Sequence, residues 1–365
     1  MSKTPAVSLA ALLLIASLTA RSQAPDEMET VLVTGEQPGP GLWKVSRDGH
    51  VMWVLGSIHE VPETIAWRTN EVEARIAESK EVLYPGWPDV GLDISVFQAL
   101  TLIPSVFKAA KNPDGKMLKD MLNPEDYATW IRLKKKYIDK DDDIEKYRPI
   151  VAQDKLNTAI NKQDRKATKR IRSVPVNDVI KKLAKKHKVP IHTSPTVERK
   201  IKVEKPRSII KAARNLDLAE GACVGRNLVR IERRDAAALQ ANEVARINAW
   251  ATGDLEAVSQ RSAPDPALEL EDCETAALDA VMKSDAAENV TEISRGLDLF
   301  KQLEDLSKQA GAEAERKWLE AVEAALAKND STFAVLPFHL MTNQWVYLAN
   351  LKKKGYVVEA PGEQR

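Results

Sequence analysis

Two short runs near the start of the chain carry apolar side chains in the manner of strands. Leu42-Trp43-Lys44-Val45 is the first and Val51-Met52-Trp53-Val54-Leu55 the second. Arg47-Asp48-Gly49 between them has the composition of a hairpin turn. The second run leads into Gly56-Ser57-Ile58-His59 and then Pro62. Trp67 to Ser79 follows with helical spacing, placing Val72, Ile76 and Ala77 on one face. Glu81-Val82-Leu83-Tyr84 predicts the next strand, stopped by Pro85 and Gly86.

The middle of the chain reads as helical and charged. Asp93 to Lys111 holds the apolar stretch VFQALTLIPSVF, broken by Pro104, and Asn112-Pro113-Asp114-Gly115 is a turn. Asn123 is placed to cap a helix running through Tyr127, Trp130 and Leu133. Val176 to Lys186 predicts an amphipathic helix and Val189-Pro190-Ile191-His192 a strand. From Lys205 to Ala327 nearly everything has helical period, in separate candidates that include Ser208–Ala219, Ala236–Trp250, Ala276–Met282, Val290–Ala310 and Glu313–Ala327. Strand character returns at Thr332 to Leu336, followed by His339, a helix from Gln344 to Lys353, and a last strand Tyr356–Glu359. This order predicts an α/β (α+β) fold: a small mixed sheet from the N- and C-terminal segments, with a large, mostly helical insertion between them. One domain over residues 41–361 is expected, because first and last strands share the sheet.

The first 24 residues add a different signal. Lys3 precedes an apolar run from Ala6 to Ala20, and Ser22-Gln23-Ala24 offers small residues at −3 and −1 of a cleavage site. The run is short for a bilayer span, so it reads as a cleaved secretory signal with the mature chain beginning near Pro25. An uncleaved N-terminal anchor is the alternative. Residues 25–40 read as an extended lead-in. Export to a periplasmic or extracellular compartment makes a bridge between the only two cysteines, Cys223 and Cys273, the expected pairing over a reactive thiol. Such a bridge would be worth roughly 3–4 kcal/mol in the chain-entropy model.

Charge narrows the partners. Lys and Arg number 54 against 53 Asp and Glu, so no global field points to nucleic acid. The basic runs Lys134-Lys135-Lys136 and Lys162 to Arg172 lack interleaved aromatics and read as solvated helix faces. The eight tryptophans read as packing anchors more readily than as cleft residues. No segment of the mature chain is apolar and long enough to cross a membrane.

The chemistry lies at the two ends. His59 and His339 each follow an apolar strand by a tight turn, and two such strands side by side would aim both imidazoles at one sheet edge. Imidazole suits zinc and also binds manganese, cobalt or iron. Gly56 would let the backbone turn sharply there. A structural histidine at the end of a strand is the bland alternative. His50 beside the hairpin and His187 in a Lys-rich helix end read as solvated, and His192 as a remote third ligand.

The opening LWKVSRDGHVMWVLGSIHEVPE resembles the start of the TraB/GumN (Tiki-like) family, and FAVLPFHLMTNQWVYLANLKKKGYVVE resembles its close. INAWATGDL, residues 247–255, resembles that family's "aW..GD" helix end, and Arg316-Lys317-Trp318 lies where the family carries an Arg-Asn pair. The resemblance implies metal-dependent, peptidase-like hydrolysis. Gly56 and His59 match the first G-x-x-H motif, His339 matches the second histidine as a metal ligand, and Arg316 matches a stabiliser of a developing oxyanion. The implied cofactor is a divalent transition metal (Mn, Co or Zn), and the implied partner is a peptide or envelope substrate.

The departures pull the other way. Leu336 replaces the second motif's glycine, Phe338 its later small residue, and Lys317 the asparagine. The carboxylate expected after the first helix is missing from Val82-Leu83-Tyr84-Pro85, leaving Glu60 as the candidate base and Glu81 out of register. Two readings follow. One is a metal-dependent hydrolase using His59, His339, Arg316 and Glu60. The other is a non-catalytic descendant, holding no metal, that binds a peptide, glycan or envelope partner through the same cleft. A purely structural envelope protein is the alternative to both.

Overall fold

The computed structural model describes residues 39–63, 65, 67–168, 173–214, 219–263, 265–283, 291–342 and 347–363. The expected signal at 1–24 and the lead-in up to residue 38 lie outside the described residues. So do parts of four expected basic or helical stretches, at 169–172, 215–218, 290 and 343–346.

Ten strands are described: β1 Leu42–Arg47, β2 His50–Ser57, β3 Glu60–Pro62, β4 Val82–Tyr84, β5 Pro88–Asp93, β6 Ser173–Pro175, β7 Ile191–Thr193, β8 Val197–Lys202, β9 Ser331–Pro337 and β10 Val357–Glu359. The main sheet runs β10-β1-β2-β9-β4-β7. The β1–β2 and β1–β10 pairs are antiparallel, and β2–β9, β9–β4 and β4–β7 are parallel. The N-terminal β2 and the C-terminal β9 are therefore central neighbours, and the sheet is mixed as the pattern of the chain required. Asp48 and Gly49 both take positive φ between β1 and β2, the two-residue hairpin geometry that Asp-Gly favours.

The helices are α1 Asn70–Glu78, α2 Val96–Ala109, α3 Leu118–Met121, α4 Pro124–Tyr137, α5 Pro149–Thr168, α6 Val176–Lys186, α7 Pro206–Arg214, α8 Gly221–Glu232, α9 Ala236–Ala251, α10 Leu255–Ser262, α11 Cys273–Met282, α12 Thr291–Lys328, α13 His339–Thr342 and α14 Tyr347–Lys353. They cover both faces of the sheet, which is why its central strands are almost continuously apolar. Side chains of β2 and β9 alternate between the two layers. Trp53, Leu55, Phe333 and Val335 pack with α1, α6, α9 and α10. Met52, Val54, Ala334 and Leu336 pack with the end of α12 and with α14.

A separate core lies within the helical insertion, built from α3, α4, α5 and α8 around Trp130, Leu133, Leu156 and Leu228. The Cys223–Cys273 disulfide expected from the sequence is present there, joining α8 to the first residue of α11 with both residues buried. It closes a 50-residue separation. Replacing both cysteines by serine is expected to lower the unfolding free energy by about 3–4 kcal/mol in the chain-entropy model. A urea titration that shows the same midpoint for both proteins would refute that contribution.

Several expectations need correction. Val290–Ala310 and Glu313–Ala327 are not two helices but the single 38-residue α12. Its small residues Ala310, Gly311 and Ala314 are buried, and the two alanines pack on Val197 of β8, so the apparent break is a close-packing site. Pro104 sits inside the continuous α2. The strands β5 and β8, which pair in parallel, have no apolar run to reveal them. Lys134 is not on a solvated face. It is buried, with its ammonium 3.1 Å from Glu145 and 3.2 Å from Asp142, and the Trp130 indole donates to the same Glu145. His50 and His187 are not simply solvated: His50 Nδ1 meets the Asn329 carbonyl at 2.8 Å, and His187 Nε2 meets Glu73 at 2.7 Å.

Candidate functional site

The pairing of β2 with β9 places Gly56 opposite Leu336 and Ser57 opposite Pro337. His59 and His339 lie two residues beyond that last pair, so both emerge at the carboxyl edge of adjacent parallel strands. This is the edge at which open α/β sheets bind their ligands. A cavity of about 660 Å³ opens there and is lined by both histidines. Both histidine residues thus border one cavity.

Sequence reasoning missed most of the remaining wall. Trp87, Asn177, Arg246, Ser259 and Ser262 line the same cavity, with Phe338 beside His339. Trp87 follows β4 through Gly86, where an added Cβ would stand 2.4 Å from the Pro195 carbonyl oxygen, so the chain must pass close to its neighbour to bring the indole out. Arg246 precedes the INAWATGDL block by one residue, and that adjacency was the available signal. Its guanidinium forms a two-pronged ion pair with Glu243 at 2.6 and 2.8 Å, which keeps it firmly protonated.

A second cavity of about 650 Å³ adjoins the first and shares His59 and Arg246 with it. Its wall is more apolar, with Ile160, Ile231, Leu239, Val244 and Ile247, and it includes Glu60 and Glu243. The two adjoin along α9, which supplies Arg246 to both.

Gly56 works differently from the expectation. It lies within β2 and does not turn the chain. An added Cβ would meet Met341 Sδ at 2.9 Å, with Phe338 and Trp43 both at 3.1 Å. Its carbonyl accepts a 2.6 Å bond from the buried Trp250 indole. In the same block Gly253 takes positive φ after α9, and Asp254 caps α10 by accepting from the Ala257 amide. The Trp-to-Asp block therefore clamps the strand that carries His59.

The structure does not bring every candidate to the cleft. Arg316 is exposed on α12, paired with Glu320, and is not among the lining residues. Lys317 pairs with Glu313 at 3.2 Å. Glu81 precedes β4 at the opposite, amino edge of the sheet, where it holds His192 at 2.5 Å and Asn329 at 2.6 Å. His192 is thereby placed away from the cleft as well. At the carboxyl end of β4 stands Tyr84, whose hydroxyl is buried and has no hydrogen-bond partner among the described residues. Burial, with the Asp178 charge second, holds that phenol protonated far above neutral pH.

This donor set does not fit a catalytic transition metal. Such sites take three protein ligands, usually with each histidine's second nitrogen anchored. Among the described residues no three His, Cys, Asp or Glu side chains converge on a common point. Neither the His59 nor the His339 imidazole makes a hydrogen bond with them; the His59 carbonyl accepts from the Val176 amide at 3.2 Å.

No curated protein and no solved structure matches the chain. The TraB/PrgY/gumN family model matches it over residues 41–360, from β1 to just past β10. A match that takes in both histidine strands, the Trp250 clamp and the intervening helices covers nearly the whole described fold, and the chain belongs to the TraB/PrgY/gumN family.

Proposed function

We propose that this chain is an exported member of its family that uses the histidine cleft to bind an extended peptide or glycan partner without hydrolysing it. One observation carries the reading. The cavity that both histidines line has His59, His339 and Arg246 in its wall and no carboxylate, while Glu60, Asp164 and Glu243 stand in the adjoining one. A divalent cation needs anionic or anchored donors, whereas an anionic group can accept from both imidazoles and from the Arg246 guanidinium, whose charge is shared with Glu243. Trp87 and Phe338 supply apolar surface, and Asn177, Ser259 and Ser262 supply neutral hydrogen-bonding groups, the mixture found in ligand clefts. Two adjoining cavities of about 650 Å³ suit a chain-like occupant better than a compact one.

The hydrolase reading keeps one supporting observation, the convergence of His59 and His339 on one cleft, with Glu60 in the adjoining wall as its base. Metal content separates the two. The purified protein, equilibrated with zinc, manganese or cobalt and desalted, is expected to carry far less than one metal per chain. An acidic peptide is expected to quench the Trp87 emission, with Arg246→Ala weakening binding roughly tenfold, the loss of one charge-assisted contact. One tightly held metal per chain, lost in both His59→Ala and His339→Ala, would overturn the binding reading and restore the hydrolase.

A further inference from the structure

Away from the cleft, α2 turns its apolar side outward. Val96 is 79% exposed and Phe97 76%, and Leu100, Ile103, Val106 and Phe107 are between 44% and 59% exposed. At 100° per residue these six span roughly half the circumference of the helix. Leu102 alone is buried. Solvated helices present polar residues on that arc, so an exposed arc of this kind marks an interaction surface.

The charges beside it are one-sided. No carboxylate occurs from Ile94 to Lys111. The segment from Val197 to Arg214, which forms β8 and α7, holds seven Lys or Arg against Glu198 and Glu204, with Arg199 alone of the seven ion-paired among the described residues, to Glu313 of α12, in a chain of net charge +1. Lys200, Lys202, Lys205, Arg207, Lys211 and Arg214 are all exposed. Arg207 donates to the Thr101 carbonyl of α2 at 3.0 Å, and Arg148 donates to carbonyls at the ends of both α2 and α7, so the basic segment is held against the apolar helix. Asp89 and Asp93 on β5 are the acidic residues of the strand that pairs with β8.

We propose that α2 with the β8–α7 segment docks the protein peripherally onto an anionic lipid surface, the phenylalanines and aliphatics of α2 entering the headgroup boundary and the lysines and arginines lying over the phosphates. A half-apolar helix with a cationic border is the pattern of interfacial membrane helices. A protein partner would need a groove shaped to this ridge. A lipid surface needs none, and the absence of carboxylates along α2 removes repulsion from anionic headgroups. No described helix is long and apolar enough to cross the bilayer, so docking is at the surface.

The test is co-sedimentation of the full chain with vesicles of phosphatidylcholine alone and of phosphatidylcholine mixed with phosphatidylglycerol. The wild type is expected to bind the anionic vesicles at least about tenfold more strongly than the neutral ones, and less strongly as salt rises. Phe97→Ser with Phe107→Ser changes only exposed side chains and is expected to reduce binding about tenfold at unchanged thermal stability. Lys200→Glu with Lys211→Glu is expected to abolish the anionic preference alone. The apolar run Ala6–Ala20 is common to every variant, so these differences report α2 and its border. Equal binding by the wild type and the phenylalanine variant would overturn the proposal. So would a wild type that ignores both vesicles and forms a dimer that the same variant dissolves.

Discussion

Trp250→Ala is expected to lower the unfolding free energy by about 3–5 kcal/mol, the largest loss of any single truncation near the cleft. The indole is only 1% exposed, meets Trp67 in a tilted ring contact with centroids 5.1 Å apart, and belongs to the same buried cluster as Leu55, Ile58 and Ile247. Removing it empties space that rigid neighbours cannot refill, and it strands the Gly56 carbonyl without its donor. The second effect can be measured apart from the first. Trp250→Phe keeps most of the ring and loses the hydrogen bond, so it is expected to cost about 1–3 kcal/mol, the range for one orphaned buried polar group. Gly56→Ala strains the same strand on its other side, through overpacking against Met341, Phe338 and Trp43, at a similar cost. Urea unfolding of the three variants checks the ordering. A Trp250→Ala protein within about 1 kcal/mol of wild type would show that the clamp does not hold the His59 strand.

Glu220→Gln is expected to destabilise by about 3–5 kcal/mol although it alters only one oxygen. Glu220 and Arg148 are an ion pair at 3.2 Å with side chains 1% and 5% exposed. The guanidinium also donates to Ala109, Ala213 and Arg214 carbonyls, and the second Glu220 oxygen accepts from the Ile150 amide at 3.2 Å. Four helices, α2, α5, α7 and α8, thus end on one buried pair. Neutralising the carboxylate removes the Glu220 counter-charge from a guanidinium held in a low-dielectric setting. The double variant Arg148→Met with Glu220→Leu removes both charges and is expected to regain part of the loss, as buried pairs replaced by apolar residues do. If Glu220→Gln unfolds at the wild-type urea midpoint, the pair is not the junction of these helices.

The two predictions concern features of unequal visibility. The strand runs around Leu42–Leu55 and Thr332–Leu336 could be read directly, since a sheet covered on both faces demands unbroken apolar runs. The Asp-Gly hairpin, the Asn123 cap and the disulfide were also local or compositional signals. Both histidines were marked by their position after strands. Trp250 stood out in a motif, yet its hydrogen bond to Gly56 spans 194 residues and left no local trace. Arg148 and Glu220, 72 residues apart, looked like two charges among many.

Sequence by itself determined the elements with strong periodicity, the mixed sheet of terminal strands, and the histidine on each of the two strands that form its centre. These depend on interactions between near neighbours and on the alternation of buried faces, which one chain can display without knowing its partners. Tertiary structure alone decided that Arg246, Trp87 and Asn177 complete the cleft while Arg316 and Glu81 stand elsewhere, that α12 runs unbroken, and that α2 faces outward. Those outcomes depend on which surfaces meet. The burial of a charge or the exposure of an apolar helix is a property of the assembled neighbours, to which hydrophobic period along the chain is blind.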